Sequence, residues 1–298
     1  MQPNTAQLRR GWLLAFLGIA GFSLTLPATR LAVLHLDPWF VALGRGVVAS
    51  GLAAIALLLT RQPWPRRDQL RGLAAVALGI AVGFPVLSAW AMHELPASHG
   101  CIALAVTPLA TALFAAWLAG ERLPGRFWAA ALGGASAVLA FAVEAGGGSL
   151  RMGDLWLFAA SVLAALGYAE GARLTRSLGG WQVISWALVL ALPWLLAPLG
   201  WVMAHTDLSA PSEAWAGFAY VAVVSQFLAF IVWYRGMSLG GIARIGQLQL
   251  LQPFLTLGAC TAWLGEPLTG SLLGAAFVVV LSLCISQRAA PRPMEARG

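Results

Sequence analysis

The sequence predicts an all-α integral membrane protein of ten transmembrane helices, arranged as two inverted five-helix repeats. Three observations carry this expectation. The 298 residues are 60% hydrophobic and 10% charged, whereas a soluble domain carries roughly a quarter charged residues. Apolar runs long enough to cross a hydrocarbon core of roughly 30 Å recur from end to end. The second half of the chain also aligns on the first.

The first span, about 12–34, follows MQPNTAQLRRGWLLAFLG, which has the basic start and apolar core of a signal peptide. Its apolar run is too long for one and leads into further spans, so it reads as the first helix. The second, 38–60, carries Arg45 in VALGRGVVAS; the third, 70–92, contains the GxxxG spacing GIAVG, then Phe84, Pro85 and Trp90. The fourth, 97–119, has Thr107 and Pro108 near its centre, and the fifth, 127–144, presents the small face ALGGASAVLA, which permits close approach. The sixth, 154–175, bears Tyr168, Glu170 and Arg173, and the seventh, 181–203, has Trp194 at its centre in a stretch that suggests packing at a kink. The eighth, 213–238, places Ser225 and Gln226 mid-span; the ninth, 242–264, contains GQLQLLQPF; the tenth, 268–287, is almost free of polar side chains. The fifth and tenth read as scaffold or as a homodimer contact.

All 18 basic residues are arginine. With the N-terminus inside, ten spans put Arg9, Arg10, Arg61, Arg66, Arg67, Arg71, Arg122, Arg126, Arg173, Arg176, Arg235, Arg244, Arg288, Arg292 and Arg297 on the cytoplasmic side. That is the bias the positive-inside rule expects, with both short tails, 1–11 and 288–298, cytoplasmic. The expected location is the bacterial inner membrane. Scattered over loops, these charges form no basic patch, so a nucleic-acid partner is not expected. Cys101, Cys260 and Cys284 lack CxxC spacing and read as small packing residues.

A shift of 145 residues sets CIALAVTPLATALFAAWLAGERLPG on GQLQLLQPFLTLGACTAWLGEPLTG, pairing Pro108 with Pro253, Thr111 with Thr256 and Glu121 with Glu266. The repeats are 12–144 and 154–287. Five helices per copy is odd, so the second copy enters from the opposite side, an arrangement typical of secondary transporters. The doubled Gly-Glu motif, LAGERLPG and WLGEPLTG, after a helix with a central proline resembles the drug/metabolite transporter superfamily, in its EamA branch. The resemblance extends from Trp12 to Gln287 and includes Arg45 early in the second helix. It implies an exporter of amino acids, other small metabolites or drugs, with the YddG-type exporters of aromatic and other neutral amino acids as the nearest model. It also implies that helices one, three, four, six, eight and nine surround the pathway, which would place Phe84, Trp90, Thr107 and Tyr168 on its wall.

A proline lacks the N–H that bonds four residues back, so Pro108 and Pro253 leave the carbonyls of Leu104 and Gln249 without their helical donor. Paired breaks of this kind point to a transport site near the midplane, or to packing kinks. On a helical wheel Gln249 and Gln252 share a face, while Gln247 points away. The pair, joined by Gln226, reads either as cavity-lining or as interhelical hydrogen bonding. An amide site suits a neutral or zwitterionic solute, because Gln both donates and accepts. Arg45, about 6 Å outward of its helix centre, either binds a substrate carboxylate, snorkels to the outer surface or pairs with a neighbouring helix. Glu170 reads as a local ion pair with Arg173. His35, His93, His99 and His205 lie in or beside outer loops and read as solvated, with His93 and His99 able to gate the outer mouth.

There is no Walker A loop, HExxH, GxSxG or metal-ligand cluster, so neither enzyme activity nor a metal or other cofactor is expected. The expectation is an alternating-access exporter of small neutral or zwitterionic metabolites, most of all amino acids including aromatic ones, whose partners are the solute and the bilayer. A cationic-drug exporter is the alternative; a channel or intramembrane enzyme is the alternative of another class.

Overall fold

Because a hydrocarbon core offers no water to the backbone, each spanning segment must satisfy its own N–H and C=O groups. A computed structural model describes residues 5–104, 106–107, 110, 113–114, 125–145, 147–240 and 251–289, and among them the regular structure is entirely helical. Six of these segments are long and apolar enough to cross a membrane: Arg9–Val33, Pro38–Leu59, Arg67–Glu94, Met152–Thr175, Gly180–His205 and Ser212–Gly236. Leu132–Ala145 and Gly270–Ser282 are shorter apolar helices. The chain is a multi-pass membrane protein.

The first span comprises α1 (Thr5–Ser23) and α2 (Thr25–Val33). The second is α3 (Pro38–Leu59), opened by Asp37, whose carboxylate accepts from the Phe40 N–H, with Pro38 in the first turn where its missing N–H costs nothing. The third is three pieces in one: α4 (Arg67–Val76), a π-helical segment Ala77–Gly83 and α5 (Phe84–Glu94). Then come α6 (Ala97–Leu104), α7 (Gly125–Ala145), α8 (Met152–Leu178) and α9 (Gly180–His205). The eighth predicted span repeats the pattern of the third: α10 (Ser212–Ala219), a π-helical segment Tyr220–Leu228 and α11 (Ala229–Gly240). Finally α12 (Gln252–Leu264) and α13 (Gly270–Ala289) close the chain. The 145-residue offset carries 77–83 onto 222–228, inside the second π segment.

The largest contacts join one half of the chain to the other: α1 lies along α11, α3 along α9, α5 along α8 and α7 along α13. Where backbones meet, glycine is required. A Cβ on Gly79 would stand 2.2 Å from the Leu163 carbonyl oxygen, and one on Gly236 would stand 2.7 Å from the Ala15 nitrogen. The GIAVG stretch is thus a backbone-to-backbone seam between the third and sixth spans. The small faces of α7 and α13 pack on each other within the chain, Gly134 against Ser282. Trp194 departs from expectation: it is 79% exposed on the outer surface of α9, a helix that carries Pro193 and Pro198 inside it. An aromatic ring facing the acyl chains needs no partner, which is why its central position gave no guide to its packing.

Candidate functional site

A proline inside the third span, Pro85, accounts for much of the polar chemistry. In the π pattern each N–H bonds five residues back, and the Phe84 N–H accordingly goes to Gly79 O. The next donor in that series would be residue 85, which is proline and has none, so the Ile80 carbonyl is left bare. Gln226 supplies the missing donor: its Nε2 lies 2.9 Å from Ile80 O, and the side chain is 1% exposed. Gln226 itself sits in the second π segment, so this one bond ties the irregular turns of the two halves together. The Leu104 carbonyl has an equivalent solution, because Thr107 Oγ1 donates to it at 2.6 Å. Gln226 thus replaces the donor that Pro85 removes.

These bonds bear on two positions that the sequence offers for the pathway wall. Gln226 is buried and bonded to main chain of the other half, the interhelical alternative of its reading, and Thr107, half-buried, donates its hydroxyl to the carbonyl three residues back. Loss of Gln226 should therefore be felt first as instability. A Gln226→Leu variant is expected to lose about 1–3 kcal/mol, the cost of one unsatisfied buried carbonyl, as a lower melting midpoint in detergent.

Arg45 is different. The side chain is 1% exposed, which overturns the snorkelling alternative: α3 carries it against the second half instead of outward. One nitrogen, NH2, donates to Ser225 Oγ at 3.2 Å, and Ser225 Oγ is 2.8 Å from Thr25 Oγ1. The trio therefore draws on α3, the second π segment and α2. Among the described residues, Arg45 Nε and NH1 have no hydrogen-bond partner and Arg45 forms no ion pair. An arginine in protein keeps its charge, so this is a buried cation with two open donors. Trp90, in α5, has a buried Nε1 that is also without a partner among the described residues, and its ring meets Trp39 at a centroid distance of 5.9 Å. The hydroxyls of Ser161, Ser185 and Tyr234 complete the set of unpartnered buried polar atoms among the described residues.

The remaining predicted positions divide as follows. Phe84 opens α5 and Tyr168 lies in α8, both half-buried. Gln252 is half-buried at the start of α12, and the buried Pro253 follows it in the first turn of that helix as described. The Pro253 carbonyl accepts from the Cys101 thiol at 3.5 Å. Gln249 and Pro108 lie outside the described residues. Glu170 receives both Nε and NH2 of Arg173, at 2.9 and 2.8 Å, as the local pair that was expected.

At the end of the helices predicted to face outward, the structure corrects the histidine expectation. His99 is 5% exposed, and its Nε2 is 2.6 Å from Asp154 Oδ1, itself fully buried. It is no solvated loop residue, because α6 inserts it between the halves. Glu266 of the second Gly-Glu motif receives the Ala97 and Ser98 N–H groups at the start of α6, both at 2.8 Å. Arg30, at the end of α2, donates to the carbonyls of Met92 and His93 at the end of α5. The sequence signal for Glu266 is its motif; nothing in the sequence separates Asp154 from the other acids of the predicted outer loops.

A family model described as EamA-like transporter matches residues 9–143 and again 151–287. A Bacillus subtilis (strain 168) protein called uncharacterized transporter YdeK is 42% identical over 279 residues, covering 93% of this chain and 97% of its own. A protein of Streptantibioticus cattleyicolor named probable terminal-alkyne amino-acid exporter is 29% identical over 278 residues, 91% of each chain. Among solved structures, one crystal structure superposes with a TM-score of 0.65 at 18% identity, over 93% of this chain and 97% of that one, a likeness of fold.

Proposed function

The chain belongs to the EamA-like transporter family, and on that premise we propose that it exports small zwitterionic metabolites, in the first place amino acids with apolar or aromatic side chains, by alternating access. The observation that carries this reading is Arg45: a buried cation, without an ion-pair partner among the described residues, holding two donors open at the junction of the two halves. A carboxylate is the group that such a planar fork binds best, through paired charge-assisted hydrogen bonds. The same fixed positive charge disfavours a cationic drug at that depth. The amino-acid exporter named among the relatives supports the same solute class.

In this proposal the protein has ten spans in two inverted repeats, 12–144 and 154–287, with both tails on the cytoplasmic face of a bacterial inner membrane. Rocking of one repeat against the other exposes the Arg45 neighbourhood to either side in turn. Trp90 lies one span away and offers a ring and an indole N–H, while Phe84, Tyr168, Gln249 and Gln252 complete the proposed wall.

Proteoliposomes loaded with pooled neutral amino acids and their C-terminal amides test the reading. Efflux of the free acids with retention of the amides is expected; equal efflux of both would remove the carboxylate, and with it Arg45, from recognition.

A further inference from the structure

At the outer end a cavity of about 240 Å³ is lined by Arg30, Leu34, Pro96, Leu264 and Glu266. It is smaller than a drug-sized site of roughly 300–1,000 Å³ and suits a small metabolite. Its composition is specific: one guanidinium, one carboxylate, and an apolar wall between them.

Both charges have a local task. Helix α5 ends at Glu94 and α6 begins at Ala97, so the short Leu95–Pro96 turn lies between a helix C-terminus and a helix N-terminus. Carbonyls at the first end carry partial negative charge and N–H groups at the second carry partial positive charge. Arg30 takes the Met92 and His93 carbonyls with NH1, and Glu266 takes the Ala97 and Ser98 amides. Arg30 comes from the first half and Glu266 from the second, so together they clamp the turn between the third and fourth predicted spans. Arg30 uses one nitrogen of its fork for this, and its other donors remain for an acceptor in the cavity. A carboxylate likewise has about four lone-pair positions and accepts two bonds here.

We propose that this cavity is an outer subsite for the two charged termini of the exported solute. Its carboxylate sits on Arg30, its ammonium on Glu266, and its apolar side chain on Leu34, Pro96 and Leu264. This rests on the zwitterion reading of the function and extends it to the exit. The solute's ammonium competes with the Ala97 and Ser98 N–H groups for Glu266, and its carboxylate competes with the Met92 and His93 carbonyls for Arg30. Arrival of the zwitterion therefore loosens the clamp on the turn, which couples occupation of the exit to its opening. A molecule with only one of the two charges releases only one side.

Hydrogen exchange of the full chain in nanodiscs, read by mass spectrometry, tests this without requiring transport. Phenylalanine, phenylalaninamide and N-acetylphenylalanine are the probes. Phenylalanine is expected to speed exchange in the peptide spanning 95–104 several-fold, phenylalaninamide, which releases only the Glu266 side, to speed it less, and N-acetylphenylalanine, which releases only the Arg30 side, to leave it unchanged. In Arg30→Gln the half-maximal phenylalanine concentration should rise about tenfold, the worth of one charge-assisted hydrogen bond. In Leu34→Trp, which fills the cavity from an exposed position and leaves both charges in place, the response should vanish. A peptide around Arg45 that responds to phenylalanine while 95–104 does not would overturn the outer subsite and leave the functional proposal standing. A response in neither peptide would sink both. Equal responses to all three probes, or an undiminished response in Leu34→Trp, would show that the cavity does not read a zwitterion.

Discussion

Exchanging Arg45 for glutamine is expected to lower transport of a carboxylate-bearing solute by about ten- to a hundredfold while leaving the protein as stable as before, or more so. A hydrogen bond to a charged partner is worth about 1.5–3 kcal/mol, and each 1.4 kcal/mol is tenfold. The loss should appear mainly as weaker half-saturation. The stability side follows from the structure. Among the described residues Arg45 has one hydrogen bond, to Ser225, and two donor nitrogens without partners, so the fold carries the desolvation of a cation that these surroundings do not offset. Glutamine removes that burden, and the Ser225 to Thr25 hydroxyl contact at 2.8 Å does not depend on the guanidinium. Efflux assays and melting curves on the same preparation decide the matter: if activity and melting midpoint fall together, Arg45 is a packing group and the functional proposal loses its main support. Lysine at this position keeps the charge but not the planar fork, so it should restore only part of the activity.

The second large effect concerns the seam between the third and sixth spans. Gly79→Ala puts a methyl group 2.2 Å from the Leu163 carbonyl oxygen, with the Gly167 nitrogen at 3.1 Å, and neither obstacle is a side chain that can rotate away. Overpacking typically costs about 1–3 kcal/mol when side chains can move, and here two helix backbones must separate. The variant is expected to melt far below the parent or to fail to accumulate in the membrane. Gly133→Ala is the internal control, because a Cβ there meets nothing within 4 Å. It should be neutral, or stabilising by up to about 1 kcal/mol through helix propensity. If the two alanines behave alike, the close approach at Gly79 is not what holds the spans together.

Much of this architecture is legible in the sequence because the bilayer is a demanding solvent. The runs at 38–60, 154–175 and 181–203 stand out by length and apolarity alone, and they coincide with helices Pro38–Leu59, Met152–Thr175 and Gly180–His205. Arg45 and Gln226 are legible as exceptions, since polar groups at depth are rare. Which exception serves the backbone and which remains open was not legible. Gln226 answers a carbonyl 146 residues away, and that carbonyl is bare only because Phe84 bonds to Gly79 in a π turn directly before Pro85. A helical wheel drawn at 3.6 residues per turn cannot anticipate a turn that departs from it. His99 was misjudged for a related reason: its sequence neighbours are those of a loop, and only the insertion of α6 between the halves buries it against Asp154.

The bond from Gln226 to Ile80 also bears on how the two halves descend from one unit. The first half contains the flaw, a proline that strips a carbonyl of its donor, and the second half contains the remedy. Under the 145-residue alignment the position of Gln226 corresponds to Ala81, which could not supply it. Two copies of the first half joined end to end would carry the flaw twice and the remedy not at all. Whatever symmetry the duplication began with, the halves have since become complementary, and the second cannot be replaced by a copy of the first.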